Sequence, residues 1–251
     1  MKTLTLRAAS LAALVALAAC EDAGTDPIAD NAALNDDVAL LAADAVQEDL
    51  DVMNATVPLA TAGAPAGADI LDFTRSRTIT FYDADGVEQG AYDALTTASI
   101  HTVLTVSGDV TREGFSWSMD RTRDMWVTGL EGEETQRTWN GEGSDERSRA
   151  RVVDVDQTRT YEMSGTLLVE DVVRAVPLVE NPWPLSGTIT RNLTIEVVNG
   201  PNGDETITRL VVLTFNGTQF VTLTVNGEEY EVDLAEQGRN KVHRRQGGMG
   251  G

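Results

Sequence analysis

Residues 188–234 decide the fold. The first run is Thr188-Ile189-Thr190-Arg191-Asn192-Leu193-Thr194-Ile195-Glu196-Val197, and it ends at Asn199-Gly200-Pro201-Asn202-Gly203. Ile207, Val211, Leu213 and Phe215 follow, up to Asn216-Gly217. Val221, Leu223 and Val225 lead to Asn226-Gly227, and Tyr230, Val232 and Leu234 close the stretch. Apolar residues fall on alternate positions with Thr, Asn and Glu between them, as in strands with one buried face. Asn-Gly is the strongest two-residue hairpin signal, because a type I′ turn needs positive φ at both positions. The stretch is expected to form a four-stranded antiparallel meander.

The same period extends upstream. Ile79 and Phe81 alternate with Thr78 and Thr80 in a strand over 75–82, which is closed by Asp83-Ala84-Asp85-Gly86. Phe115, Trp117 and Met119 alternate with Ser116 and Ser118, and further strands are expected at 125–128, 135–140, 147–155 and 158–169. Gly108-Asp109, Gly129-Leu130-Glu131-Gly132 and Gly141-Glu142-Gly143 read as turns between strands. Over 88–106 the pattern settles only a strand ending near Val106. Pro177, Pro182 and Pro184 around Trp183 exclude a central strand over 176–187. The result is a mainly β chain, an antiparallel meander of roughly ten to twelve strands forming a curved sheet, half-barrel or barrel.

One apolar sheet face must be covered, and the chain offers one N-terminal amphipathic helix, over 36–53. Val38, Leu41, Ala42, Ala45, Val46, Leu50 and Met53 recur at helical spacing, with Asp37, Asp44, Glu48 and Asp51 on the other face. Asn35 can cap its first turn. The helix is expected against an opening or the concave face of the sheet. The chain then divides into a signal peptide (1–19), an acidic tether (20–35), the helix (36–53), a linker (54–72), the β domain (73–235) and a disordered basic Gly-rich tail (236–251). A helix followed by a long meander is similar in layout to the half-barrel of periplasmic lipoprotein carriers and their outer-membrane receptor. The similarity is one of element order and transfers no residues. A membrane-spanning barrel also alternates with period 2. Such barrels usually end on an aromatic strand, whereas this chain ends on Arg244-Arg245-Gln246-Gly247-Gly248-Met249-Gly250-Gly251.

The formal net charge is −21. Residues 21–53 carry ten acids and no Lys or Arg, whereas 238–251 carry Arg239, Lys241, Arg244 and Arg245. This balance argues against nucleic acid and against electrostatic docking on an anionic membrane. Attachment must then come from elsewhere.

Cys20, the single cysteine, ends the run Leu17-Ala18-Ala19-Cys20, behind Lys2, Arg7 and the apolar stretch 8–19. That stretch is too short to cross a bilayer and has the charge-then-apolar-then-small layout of an export signal. It resembles the signal of bacterial lipoproteins. The resemblance implies cleavage before Cys20, lipidation of its thiol and anchoring by several acyl chains. An ordinary signal peptide with an A-x-A-type cleavage site is the alternative. Glu21 in place of the Asp that often holds lipoproteins in the inner membrane favours the outer membrane. The expected partners are the membrane, through the lipid, and a hydrophobic ligand or an envelope protein.

Candidate chemistry is sparse. His101 and His243 lack the convergent partners of a zinc site or a triad. Asp83, Asp85 and Glu88 around Gly86 are spaced as in calcium loops, but too few oxygens converge there and a hairpin turn explains them. Trp117, Trp126, Trp139 and Trp183 suit either core anchors or a ligand surface. Arg147, Arg149 and Arg151 share one strand face and could grip an anion, or they could form cross-strand ion pairs on a solvated face. No catalytic residue, metal or cofactor is expected. The expected function is that of a non-enzymatic, lipid-anchored envelope lipoprotein that binds a hydrophobic ligand or a protein partner or serves a structural role in the envelope, with a secreted or envelope hydrolase using acidic residues as the alternative.

Overall fold

The computed structural model describes residues 27–56, 73–132, 134–154, 157–177, 181–200, 203–236 and 241–245, the side chains of 27–34, 37, 54–56, 73, 112, 151, 153 and 154 excepted. Helix α1 (Pro27–Thr56) precedes β1 (Phe73–Tyr82), β2 (Glu88–Gln89), β3 (Ser99–Arg112), β4 (Phe115–Thr128), β5 (Gln136–Asp154) and β6 (Gln157–Ala175). They are followed by β7 (Ser186–Gly200), β8 (Gly203–Thr214), β9 (Phe220–Val225), β10 (Glu228–Asp233) and β11 (Val242–Arg244). All pair antiparallel in one 11-stranded sheet, ordered β11-β10-β9-β8-β7-β6-β5-β4-β3-β1-β2. The mainly β, antiparallel meander read from the sequence is therefore what forms. Only β2 departs from sequence order, folding back on the outer side of β1. β2 and β11 lie at opposite edges, so the sheet is curved but not closed.

The curvature follows from what α1 touches. Asp44 reaches Lys241, just before β11, and Glu48, about one helical turn later, reaches Arg121 of β4. In a flat sheet β4 and β11 would lie roughly 34 Å apart, at about 4.8 Å per strand. The two helical positions differ by only about 6 Å along the axis. Only a sheet curled around the helix satisfies both. The helix is accordingly enclosed on most sides, with Val38, Ala39, Ala42, Ala43, Ala45, Val46, Leu50 and Met53 buried. These side chains join Val127, Trp139, Val169, Ile189, Leu213, Leu223 and Tyr230 of the sheet in one continuous core.

Several boundaries differ from the sequence reading. The helix opens at Pro27, so most of the expected tether over 27–35 is helical. Proline lacks an N–H that the first turn would leave unpaired anyway, and alanines at 29, 32, 33 and 39 favour continuation. Asn35 is therefore inside the helix rather than at its cap. Its buried side chain donates from Nδ2 to Glu228 Oε2 at 3.0 Å and accepts from Arg209 Nε at 2.7 Å.

The two expected strands at 115–119 and 125–128 are one strand, β4, and those at 135–140 and 147–155 are one strand, β5. Gly108 likewise lies within β3. Gly141 and Gly143 are not turn glycines. A Cβ at Gly141 would stand 2.3 Å from the Asp124 carbonyl oxygen, and one at Gly143 would stand 2.4 Å from that of Thr122. They are glycines because β4 approaches too closely for a side chain.

Asn226 and Gly227 both take positive φ, 48° and 88°, and join Val225 to Glu228 as the type I′ signal requires. Asn216-Gly217 does not form such a turn. β8 ends at Thr214 and β9 starts at Phe220, and Asn216 instead accepts from Thr218 N at 3.0 Å within a longer loop. The tail expected to be disordered over 236–251 contributes β11, which pairs with β10 from Tyr230 to Val232. Its basic side chains meet the acids of α1 and β10. Lys241 pairs with Asp44, Arg244 with Asp36 and Glu228, and Arg245 with Glu231.

Candidate functional site: the inner face of the sheet

Residues directly opposite each other in the ladder share a sheet face. The inner face is marked by Met125 and Val127 of β4 and by Ile189, Leu193 and Ile195 of β7, all buried. In phase with them stand Arg121 and Arg123 on β4, Asp145, Arg147 and Arg149 on β5, and Arg191 on β7. Charged residues thus occupy core-facing positions along three strands.

Beneath α1 these charges form a closed network. Asp145 accepts from Arg121 Nε at 2.7 Å, from Arg123 Nη2 at 2.9 Å and from Arg191 Nη1 at 2.9 Å. Asp49 of the helix accepts from Arg123 Nε at 2.8 Å and pairs with Arg191. Glu48 accepts from Arg121 Nη2 at 2.5 Å. Gly143 permits this, because the guanidinium of Arg123 passes where its Cβ would lie, donating to the carbonyls of Thr122 and Ser144. Burial alone would raise the Asp145 carboxyl, but Arg123, Arg121 and Arg191 hold it well below the usual carboxylate range. Asp145 is thus a fixed anion, unsuited to donating a proton in catalysis.

The inner face continues along the same strands. Arg147 stands between Met119 and Met163, and Arg149 between Trp117 and Tyr161. All six are partly exposed. Val110 of β3 and Ile195 and Val197 of β7 extend the apolar surface to either side. Arg147 is 15% exposed and reaches Glu48 only at 3.6 Å, and its Nε is buried without a partner among the described residues. Burial lowers its pKa, partly offset by Glu48. The Arg149 guanidinium lies 5.6 Å from the Phe115 ring centroid.

The arginine trio expected from the sequence therefore lies along β5, but not on a solvated face. Arg147 and Arg149 face inward, and the side chain of Arg151 lies outside the described residues. Cys20 also lies outside them. Of the tryptophans, Trp139 is buried in the core and Trp183 packs against it, whereas Trp126 is 39% exposed on the outer face. There its ring stacks on His101 at 4.4 Å, and His101 meets Asp124 at 2.6 Å. His243 is exposed on β11. Asp83 closes the β1–β2 hairpin, accepting from Asp85 N at 3.0 Å and Val87 N at 2.8 Å. No three metal-ligating side chains converge among the described residues. Nor is any helix among them long and apolar enough to cross a membrane.

The sequence reading missed Asp49, Arg121, Arg123, Asp145 and Arg191. A signal was present. Arg191 alternates with Ile189 and Leu193, Arg121 and Arg123 continue the phase of Trp117 and Met119, and Asp49 lies on the stripe of Val46 and Met53. Charge at a core-phase position implies a buried partner. The partner's identity depends on distant residues.

Compared with protein-family models, curated proteins and solved structures, the chain matches none.

Proposed function

We infer that this protein is a lipid-anchored lipoprotein of the bacterial cell envelope whose β domain binds a hydrophobic ligand on its inner face. The observation that carries the binding role is the run of Trp117, Met119, Tyr161 and Met163, which stand half-buried beside one another on the inner face of the sheet. Large apolar side chains left partly open along one concave wall are what a ligand surface needs. Attachment rests on the lipobox at Cys20. The tether and helix after it keep the domain beside the bilayer from which such a ligand would come, and Glu21 favours the outer membrane. An envelope protein is the other candidate occupant of this face.

Two measurements test this reading. Mass spectrometry of the mature N-terminus should find a lipidated Cys20, with a diacylglycerol on its thiol, that disappears with Cys20→Ala, and an unmodified N-terminus at any other residue would refute the anchor. Native mass spectrometry of the protein as purified should find a co-purifying lipid, and a consistently empty protein would count against the ligand.

A further inference from the structure

We propose that the outer face of β3–β5 docks an extended, arginine-bearing segment of a partner protein. Trp126 and the acid pairs Asp124–Glu142 and Asp120–Glu146 receive its guanidiniums. This surface and the inner face lie on opposite sides of the sheet, so the docking stands or falls apart from the hydrophobic ligand.

Beside the first acid pair stands Trp126, a large ring 39% exposed. It stacks on His101 at 4.4 Å and lies 5.4 Å from the Tyr82 ring, and Glu88 faces Tyr82 across the β1–β2 ladder. Around these rings acids are set against acids. Asp124 lies directly opposite Glu142, Asp120 opposite Glu146, and Glu162 opposite Glu196. Like charges directly opposite each other destabilise a sheet. The described outer side chains of β1–β10 include no Arg or Lys. The described strand arginines take the inner phase instead, Arg121 and Arg123 with Met125, Arg191 with Ile189, and Arg209 across from Leu193. Arg245, just past β11 at the far edge, pairs there with Glu231. Near Trp126 the basic group is His101, whose Nε2 is 2.6 Å from Asp124 Oδ1.

An aromatic ring open to water among carboxylates attracts a cation to its face. A guanidinium suits both parts of this surface, because it stacks on aromatic rings and pairs with carboxylates in a planar fork. An apolar or sugar ligand would cover the ring and leave the acids opposed. A bare metal ion would meet the acids and leave the ring uncovered. The spacing then gives the shape of the partner. Asp124–Glu142 and Asp120–Glu146 are four positions apart along both strands, about 13 Å. Between them on this face lie Thr122 and Ser144, hydrogen-bonded to each other at 2.9 Å. Side chains four positions apart on an extended chain share a face and have the same separation. An extended segment laid along β4 and β5 therefore reaches both pairs with two arginines.

The test is fluorescence anisotropy of a labelled Gly/Ser peptide carrying two arginines four positions apart, titrated at low salt with the protein as purified. Binding is expected, and Trp126→Leu, Glu142→Gln and Glu146→Gln should each weaken it by about threefold or more. Glu205→Gln removes the same charge from an exposed position in the inner phase of β8 and should leave it unchanged. Glu142→Gln also relieves a like-charge opposition, so its melting temperature should equal or exceed that of the native chain. A lower one would overturn the opposition on which the proposal rests. Absence of peptide binding, or equal weakening by Glu142→Gln and Glu205→Gln, overturns the docking face. Equal affinity for a peptide whose arginines are adjacent overturns the extended register. Calcium chloride that binds as tightly as the peptide, and is weakened by the same substitutions, assigns the face to a metal ion and overturns the partner segment.

Discussion

Asp49 on α1 and Arg123 on β4 are 74 positions apart in sequence, yet Asp49 Oδ1 accepts from Arg123 Nε at 2.8 Å, with the two side chains 3% and 1% exposed. Taking two such charges out of water is costly, and a buried pair is weak grounds for stability by itself. Its effect is on geometry. Asp49 is shared with Arg191 and Arg123 with Asp145, so the helix has one register on the sheet in which every one of these charges is met.

Asp49→Ala should be among the most damaging single changes, because it leaves Arg123 and Arg191 buried without a partner on the helix. Breaking a buried pair from one side costs about 3–5 kcal/mol. Urea denaturation should show this loss, whereas Asp51→Ala, on the exposed side of the same helix, should change stability by only about 0.5 kcal/mol. Equal effects of the two substitutions would contradict the network.

Stability should fall in acid through Asp145. Its folded pKa is depressed, so its contribution is complete above the unfolded value and is lost as pH falls towards the folded one. With an unfolded value of about 3.9, the urea midpoint should hold from neutrality down to about pH 5 and decline below about pH 4. Asp145→Asn should start from a lower stability and show a shallower decline across that range. An acid limb as steep as that of the native chain would assign the effect to other groups.

Gly143→Ala tests the close approach of β5 to β4. The added Cβ would meet the Thr122 carbonyl oxygen at 2.4 Å and the Arg123 side chain at 3.0 Å. Overpacking of this kind costs about 1–3 kcal/mol. Gly90→Ala is the control: its added Cβ meets nothing within 4 Å, and its φ lies outside the left-handed region. Thermal melts should rank Gly143→Ala well below Gly90→Ala, and the reverse order would refute the packing argument.

Lys241→Ala should show that the basic end of the chain belongs to the fold. Lys241 is 6% exposed and pairs with Asp44, which is 25% exposed. Losing this pair should cost about 1 kcal/mol, a drop in Tm of about 2–4 °C for a domain of this size. A melting temperature unaffected by the substitution would return 241–245 to the status of a dispensable tail.

The meander was legible because its signals are local. Val221, Leu223 and Val225 alternate over a few residues, and Asn226-Gly227 turns the chain within two. Gly141 and Gly143 were misread because glycine serves both turns and close approaches, and only the presence of β4 beside β5 distinguishes the two. Arg147 and Arg149 could be placed on one face from their spacing. Whether that face met water or the core depended on the register with Met119 and Trp117, which no local pattern contains.

The sequence by itself determined the strand period, the antiparallel class and a helix available to cover the sheet, because side-chain alternation and helical spacing are properties of consecutive residues. Only the tertiary structure decided that the sheet stays open and curls around that helix, that Asp49 and Asp145 are shared among Arg121, Arg123 and Arg191, and that Arg147 and Arg149 face inward. These depend on cross-strand register and on a helix docking across many strands. Their energies arise between residues tens of positions apart, where desolvation makes each charge seek a partner that its own neighbourhood in the chain does not supply.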